Sequence, residues 1–217
     1  MPTPVFDNDG CTLYLVRHGD SRQDQVKRYI GQIDLPLNAA GRTQIKALQR
    51  ELAGIDFAHV YSSDLRRCLE TAEIIARPLG KSIRTVPGLR EIALGEWEGQ
   101  PMASIRERFP EEYQRRGREL VGFSPPGGES FRDLQERVVP AFLQIISRAS
   151  GAVLLVAHAG VNRTILCHIL GLPLDELFQV PQDFGCFNII ERRGEQLTVK
   201  TVNQMGGNPE LCAAAFF

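Results

Sequence analysis

The spacing of apolar and polar positions along the chain predicts strands that alternate with helices. A strand is predicted at 11–17, and the continuous apolar run at 152–158 has the length and the Val and Leu content of a strand buried on both faces. Shorter strands are predicted at 56–63, 82–86, 186–192 and 196–202. The last two are joined by "RGE" and predict a closing hairpin.

Apolar residues spaced three and four apart predict helices between these strands. Such a stripe follows Asn38, which can cap the amino end of a helix at 38–53. A second helix is predicted at 64–77, with Ser63 or Asp64 as its cap. Further helices are predicted at 101–116, 130–148 and 160–170.

This alternation predicts an α/β fold, a three-layer sandwich around a mostly parallel sheet of about six strands. We expect a single domain over 1–217, with its core at 11–203 and a segment at 205–217 that is partly ordered at most. Ligands of such sheets bind beyond the carboxyl ends of the strands. The residues that follow each strand are therefore the first candidates for a site.

Composition and charge narrow the function. The 217 residues carry a net charge of −1, so no global basic field favours nucleic acid or an anionic membrane. No apolar run approaches the roughly 20 residues that span a bilayer, and the first residues lack the pattern of a signal peptide. The five cysteines include no CxxC pair and are interpreted as buried thiols. We therefore expect a cytoplasmic protein whose partner is a small molecule; its oligomeric state stays open.

Four residues carry candidate chemistry for binding a phosphate group. Arg17 and His18 end the first strand, and His158 ends the strand at 152–158, so the two histidines face one crevice if these strands are neighbours. Arg67 lies in the first turn of the helix at 64–77, where anions bind well. Two arginines and one histidine can balance a phosphate dianion, and the other histidine can attack phosphorus. A proton donor for the leaving oxygen is also needed.

Five motifs occur in order along the chain: "LVRHGDS", "YSSDLRRCLETA", "LREIALGEWEG", "PPGGES" and "VAHAGVNR". Together they resemble the histidine phosphatase superfamily, also called phosphoglycerate mutase-like, over about 11–163. The resemblance implies that His18 is the nucleophile and that Arg17, Arg67 and His158 hold the phosphate. It implies that Glu91 is the general acid, since Ala159 and Gly160 follow the second histidine where one branch carries its acid. It implies neither a metal nor another cofactor.

Several alternatives remain open at this stage. Arg66 could replace Arg67 as the phosphate ligand, and Glu96 or Glu98 could replace Glu91 as the acid. The family commonly has Glu or Gln at the position of Asp20 and Asn at the position of Asp24. Because a carboxylate would repel the phosphoryl group, we expect Asp24 to turn away, to pair with a nearby basic residue or to contact the substrate.

The resemblance favours a metal-independent phosphomonoester hydrolase acting through a phosphohistidine. Mutases of the family carry a basic "RHYG"-like stretch after the acid, whereas Ile92, Ala93 and Leu94 follow Glu91 here. A mutase and a non-catalytic phospholigand-binding protein remain the alternatives. The segments 22–33 and 100–124 should select the substrate. The stretches "YIGQIDLPLNAAG" and "LGEWEG" suggest α-ribazole phosphate as that substrate.

Overall fold

A computed structural model of the protein describes residues 10–206. Within this range, six strands form one sheet in the order β3-β2-β4-β1-β5-β6. The strands are β1 (Cys11–Arg17), β2 (Phe57–Ser62), β3 (Ile83–Thr85), β4 (Gly151–Ala157), β5 (Cys186–Arg193) and β6 (Gln196–Met205). The helices are α1 (Ala39–Glu51), α2 (Arg66–Ala76), α3 (Met102–Arg108), α4 (Pro110–Arg118), α5 (Phe131–Ser147) and α6 (Ala159–Leu170).

The sheet is parallel through its first four strands and antiparallel at β5 and β6. The pairings β2–β3, β2–β4 and β1–β4 are parallel, and β5 joins β1 and β6 antiparallel. The predicted α/β fold with a mostly parallel sheet of about six strands is therefore confirmed. Because β1 and β4 pair in register, Arg17 lies opposite Ala157, and the next residue of each strand is a histidine.

Helices cover both faces of the sheet, as the alternation of side chains requires. Leu13 and Leu15 of β1 pack in the apolar cluster that includes buried residues of α5 and α6. Val16 packs in the opposite cluster, which includes buried residues of α1 and α2. The central strands are buried on both faces, so their carboxyl ends are held rigidly.

The helix predicted at 101–116 is instead two helices, α3 and α4, separated at Phe109. Pro110 explains the break, since its ring disfavours helical backbone at the preceding residue, and Phe109 has φ −131° and ψ 59°. Proline is well suited to the first position of a helix, where no backbone N–H is required, and Pro110 begins α4.

Helix α2 begins later than predicted and lacks a side-chain cap. Its N-cap residue is Leu65, with extended backbone. The two expected caps bind elsewhere: Asp64 accepts two hydrogen bonds from Arg90, at 2.7 and 2.6 Å, and Ser63 contacts His158. Ser63 Oγ keeps a local hydrogen bond from Leu65 N at 3.3 Å, but the main partners of both side chains are tertiary.

The segment predicted to be partly ordered, 205–217, lies outside the described residues except for Met205 at the end of β6 and Gly206. Among residues 10–206, no helix has the length and apolar character needed to span a membrane.

Candidate active site

The two histidines meet at the carboxyl end of β1 and β4. Their ring centroids are 5.2 Å apart, and both side chains are buried. Two hydrogen bonds hold the backbone of His18: its N–H donates to Ala157 O at 3.1 Å, and its carbonyl oxygen accepts from Gly185 N at 3.1 Å. A cavity of about 410 Å³ opens beside them and is lined in part by Arg17, His18, Arg67 and Glu91. The topology thus brings Arg17, His18, Arg67 and Glu91 together at one cavity, while His158 lies buried behind His18 and does not line it.

The ring of His18 has a defined orientation. Its Nδ1 lies 2.8 Å from the carbonyl oxygen of Gly19. A carbonyl oxygen only accepts, so Nδ1 carries the proton and Nε2 keeps its lone pair. The Nε–H of Arg67 donates to that Nε2 at 3.3 Å. The nitrogen with nucleophilic character therefore lies next to a guanidinium, where an anion would bind.

The environment also keeps His18 neutral. Burial lowers the pKa of His18 well below 6.5, and the positive charges of Arg67 and Arg17 lower it further. The hydrogen bond to Gly19 acts in the opposite direction and is outweighed. The unprotonated ring is the form that can attack phosphorus.

Arg67 is buried, with 2% of its surface exposed, and three hydrogen bonds fix its guanidinium group. Beyond its bond to His18, Nη1 donates to Ile33 O at 2.7 Å and Nη2 donates to Gly31 O at 2.7 Å. Arg66 instead lies at the surface, 3.4 Å from Glu70, and does not line the cavity. The geometry therefore favours Arg67 over Arg66 as the phosphate ligand.

Arg17 is held by a ring and by one backbone carbonyl. Its guanidinium carbon lies 3.7 Å from the centre of the Phe184 ring, and Nη1 donates to Gln182 O. Its Nε is buried and makes no hydrogen bond within the described residues. Burial lowers the pKa of Arg17 to about 10, against the opposing effect of Glu91, and the group stays cationic at neutral pH. An unsatisfied buried donor beside His18 suits an anionic ligand.

His158 is completely buried at the N-cap of α6. Its Nε2 lies 2.9 Å from Ser63 Oγ and 3.4 Å from Cys68 Sγ, and that thiol donates to Ala157 O at 3.3 Å. Burial lowers the pKa of His158 well below 6.5, and the charge of Arg67 adds to the effect. Both histidines are therefore neutral at pH 7.

Glu91 also lines the cavity, and the amino end of α6 holds its carboxylate. Its Oε2 accepts from Gly160 N at 3.2 Å, and its Oε1 accepts from Ile92 N at 3.0 Å. A side chain at position 160 would overlap Oε1 of Glu91. The glycine thus leaves room for a carboxylate that reaches this place from another segment.

The competing acids of the same motif do not line the cavity. Glu98 accepts from Gln32 N at 2.8 Å and from Leu94 N at 3.0 Å, so it joins two loops. Glu96 is exposed. Glu91 is therefore the best-placed of the three predicted acids.

The two aspartates that depart from the family pattern are both paired. Asp20 is buried, which raises its pKa, but hydrogen bonds from Arg22 outweigh burial and hold the pKa below its usual value. Asp24 lies 3.0 Å from Arg28, one of the basic partners expected for it. Both charges are thus balanced locally.

Sequence reasoning misses two residues that hold this site. It interprets Ser63 as a helix cap, although the place of this residue in "YSSD" at the end of β2 could have suggested a contact with the neighbouring β4. Phe184 lies in an irregular segment before β5, and no periodicity or motif marks it. Its contact with Arg17 can be identified only from the three-dimensional structure.

Comparison with known proteins agrees with this geometry. A mostly parallel α/β sheet with two histidines and two arginines near the carboxyl ends of its strands is suited to binding a phosphorylated ligand. The chain belongs to the histidine phosphatase superfamily (branch 1), whose sequence pattern matches residues 13–205. This confirms the predicted family, and the chain is an enzyme of the phosphomonoesterase class.

Three relatives illustrate the range of the family. A Salmonella choleraesuis protein named "Probable phosphoglycerate mutase GpmB" is 37% identical over 74% of this chain and 75% of its own length. The adenosylcobalamin/alpha-ribazole phosphatase of Escherichia coli is 26% identical over 88% of this chain and 95% of its own length. The structure of a mycobacterial glucosyl-3-phosphoglycerate phosphatase has a TM-score of 0.78 at 26% identity, over 89% of this chain and 99% of that one.

Proposed function

We propose that the protein hydrolyses phosphomonoesters without a metal, through a phosphohistidine at Nε2 of His18. The observation that carries the proposal is the hydrogen bond between His18 Nδ1 and Gly19 O at 2.8 Å. It leaves Nε2 with its lone pair beside the guanidinium of Arg67, where a phosphoryl group would be attracted.

The first step transfers the phosphoryl group to the protein. The lone pair of His18 Nε2 attacks phosphorus, the P–O ester bond breaks, and the leaving oxygen takes a proton from the carboxyl group of Glu91. Arg17, Arg67 and His158 hold the non-bridging oxygens. Phosphoryl transfer needs mainly position and neutralised charge; the two arginines supply the charge, and the neutral His158 contributes only a fixed hydrogen-bonding group.

The second step returns the site to its starting state. The carboxylate of Glu91 now accepts a proton from water, the water oxygen attacks phosphorus, and the P–N bond breaks. Inorganic phosphate leaves, His18 regains its lone pair and Glu91 is again a carboxylic acid. Atoms and charges balance over the cycle without a further reactant.

The substrate that we propose is a small phosphorylated metabolite. A cavity of about 410 Å³ suits a ligand of that size. α-Ribazole phosphate is the specific candidate from the sequence, and the Escherichia coli relative is named for it. The Salmonella relative is named as a mutase, which would return the phosphoryl group to an organic hydroxyl. The absence of a basic stretch after Glu91 supports transfer to water instead.

Rapid mixing with a radiolabelled phosphomonoester, followed by an alkaline quench, tests the proposal. A phosphoprotein that is stable to alkali and lost in acid should accumulate in the wild type and be missing from His18→Ala. His168→Ala is the matched control, since His168 is an exposed residue of α6 outside the cavity. Normal turnover by His18→Ala would refute the mechanism.

A second measurement separates the hydrolase from the mutase. Adding an organic acceptor alcohol should leave the release of inorganic phosphate undiminished, whereas a mutase would form a new ester. The relative turnover of a panel of phosphomonoesters that includes α-ribazole phosphate would then identify the preferred substrate.

A further inference from the structure

The cavity carries more positive charge than one phosphate group can balance. Six basic side chains line the cavity: Arg17, Arg22, Lys27, Arg28, Arg67 and Arg116. Among residues 10–206, only two acidic side chains, Asp24 and Glu91, line it. In a chain of net charge −1 this concentration of cations is local, and it exceeds what the phosphate site itself requires.

Pairing accounts for four of these six cations. Arg17 and Arg67 lie next to His18 and would balance the phosphate dianion. Arg22 forms a salt bridge with Asp20, and Arg28 forms one with Asp24. Lys27 and Arg116 have no carboxylate partner within residues 10–206, and both face the cavity. We refer to Lys27 and Arg116 as the outer cations.

The backbone that carries Lys27 is held in place. Lys27 O accepts from Met102 N at 2.9 Å, and Tyr29 N donates to Gln100 O at 3.1 Å. Gly99 N donates to Tyr29 O at 2.7 Å, so the segment 27–29 forms a short ladder with 99–102. The entrance to the cavity on this side is thus built from hydrogen-bonded backbone.

Arg116 reaches the same region from α4. Its guanidinium carbon lies 5.6 Å from the centre of the Tyr29 ring, and that ring is buried against Trp97 at 5.2 Å. An aromatic face near a guanidinium restricts its position while leaving its N–H groups available. The two outer cations therefore belong to one framework.

Exposed apolar side chains lie beside the outer cations. Val26 is 46% exposed and Met102 is 38% exposed, and both line the cavity. Large apolar side chains at the mouth of a ligand cavity are suited to contact carbon atoms of the ligand. Next to the outer cations there is thus an apolar surface that could contact a short carbon chain.

We propose that the substrate is a phosphomonoester with a second anionic group, a carboxylate or a phosphate, that binds to Lys27 and Arg116. This rests on the proposed function, because it assumes that the first phosphate lies at His18. The second anion would balance the two outer cations, which one phosphate group leaves uncompensated. The proposal ranks such esters above α-ribazole phosphate, which has no acid group besides its phosphate.

Matched ligands test this proposal directly. A three-carbon ester, 3-(phosphonooxy)propanoate, should be hydrolysed with a kcat/KM about tenfold or more above that of its primary amide, since the two differ only in the second charge. Propane-1,3-diyl bisphosphate distinguishes a phosphate from a carboxylate as the preferred second group. Calorimetry with 4-phosphonobutanoate and its amide measures the same preference in binding, because their P–C bond cannot be hydrolysed.

Variants test whether the outer cations cause the preference. Lys27→Gln with Arg116→Gln should reduce the acid-to-amide ratio to about one, while Lys27→Arg and Arg116→Lys should keep most of it. Arg118→Gln is the control, since this exposed residue ends the same helix outside the cavity and loses the same charge.

Three outcomes separate the two proposals. Equal binding of the acid and the amide by the wild type overturns the second-anion proposal, and it does so without any variant. A double variant that loses affinity for both ligands in equal proportion also overturns it. Tighter binding of the acid without turnover of either ester supports the outer cations and refutes hydrolysis.

Discussion

The inner and outer parts of the cavity are built in different ways. His18, Arg67 and His158 are at most 5% exposed, and backbone carbonyls or neighbouring side chains fix each of them. Lys27 is exposed and Arg116 partly so, and both lie on segments outside the sheet. The sheet thus fixes the groups that would react, while the surface segments can vary the choice of substrate without disturbing that geometry.

The first test asks whether the inner region depends on the exact geometry of Arg67 or only on its positive charge. Arg67→Lys keeps the charge but cannot donate to His18, Ile33 and Gly31 at once. We expect kcat/KM for an aryl phosphate to fall about 10²- to 10³-fold. Steady-state kinetics against Arg66→Lys check this, since the exposed neighbour should stay within about twofold of wild type. Similar values for the two variants would show that charge alone suffices.

The place of Glu91 gives the second test. Gly160→Ala would push a Cβ into the carboxylate, so proton transfer to the leaving group should be impaired. For an alkyl phosphate we expect kcat to fall about 10²-fold. For 4-nitrophenyl phosphate the loss should be smaller, because its leaving group needs no proton.

Gly117→Ala is the matched control for that substitution. Position 117 lies in α4, with no atom within 4 Å of an added Cβ, so the change should leave kcat unaltered. An equal loss with both substrates in Gly160→Ala would indicate a general distortion rather than displacement of an acid.

Burial of the inner histidines also has a smaller effect, on stability. The pKa values of His18 and His158 lie well below 6.5 in the folded protein because both are buried, whereas the unfolded chain titrates near 6.5. The unfolded state therefore binds protons first, and the free energy of unfolding should fall as the pH drops below about 6.5. Each histidine contributes about 1.4 kcal/mol per pH unit until its folded pKa is reached.

Urea unfolding at pH 7.5, 6.5 and 5.5 measures this slope. His18→Asn should lose about half of the contribution from the two histidines, so its stability should depend less on pH than that of the wild type. Identical slopes would show that His18 is protonated to the same extent in both states.

The sequence singled out individual residues of the inner region but only two segments, 22–33 and 100–124, of the outer one, for a physical reason. Arg17 ends β1, and His18 and His158 directly follow β1 and β4, which have clear apolar runs; the ends of these neighbouring parallel strands share one edge of the sheet. Lys27 and Arg116 lie on segments with no strand pattern, and their position depends on a short backbone ladder and on the break at Phe109. Local spacing does not encode such contacts.

Tertiary contacts also overrode some local preferences. Asp64 and Ser63 are good helix caps in isolation, yet Arg90 and His158 bind them and Leu65 takes the capping position. Phe184 carries no signal in its own segment, although it lies against Arg17. These features arise where distant segments meet.

The pairing of β1 with β4 has a consequence for synthesis of the chain. His18 directly follows β1, but the partner strand β4 comes only after β2, β3 and five of the six helices α1 to α6. Such a non-local pairing closes slowly and late. A nascent polypeptide that stops before Gly151 would have His18 without the Ala157 and Gly185 backbone that holds it, so the geometry of the candidate site forms only after β4 and the segment before β5 have been made.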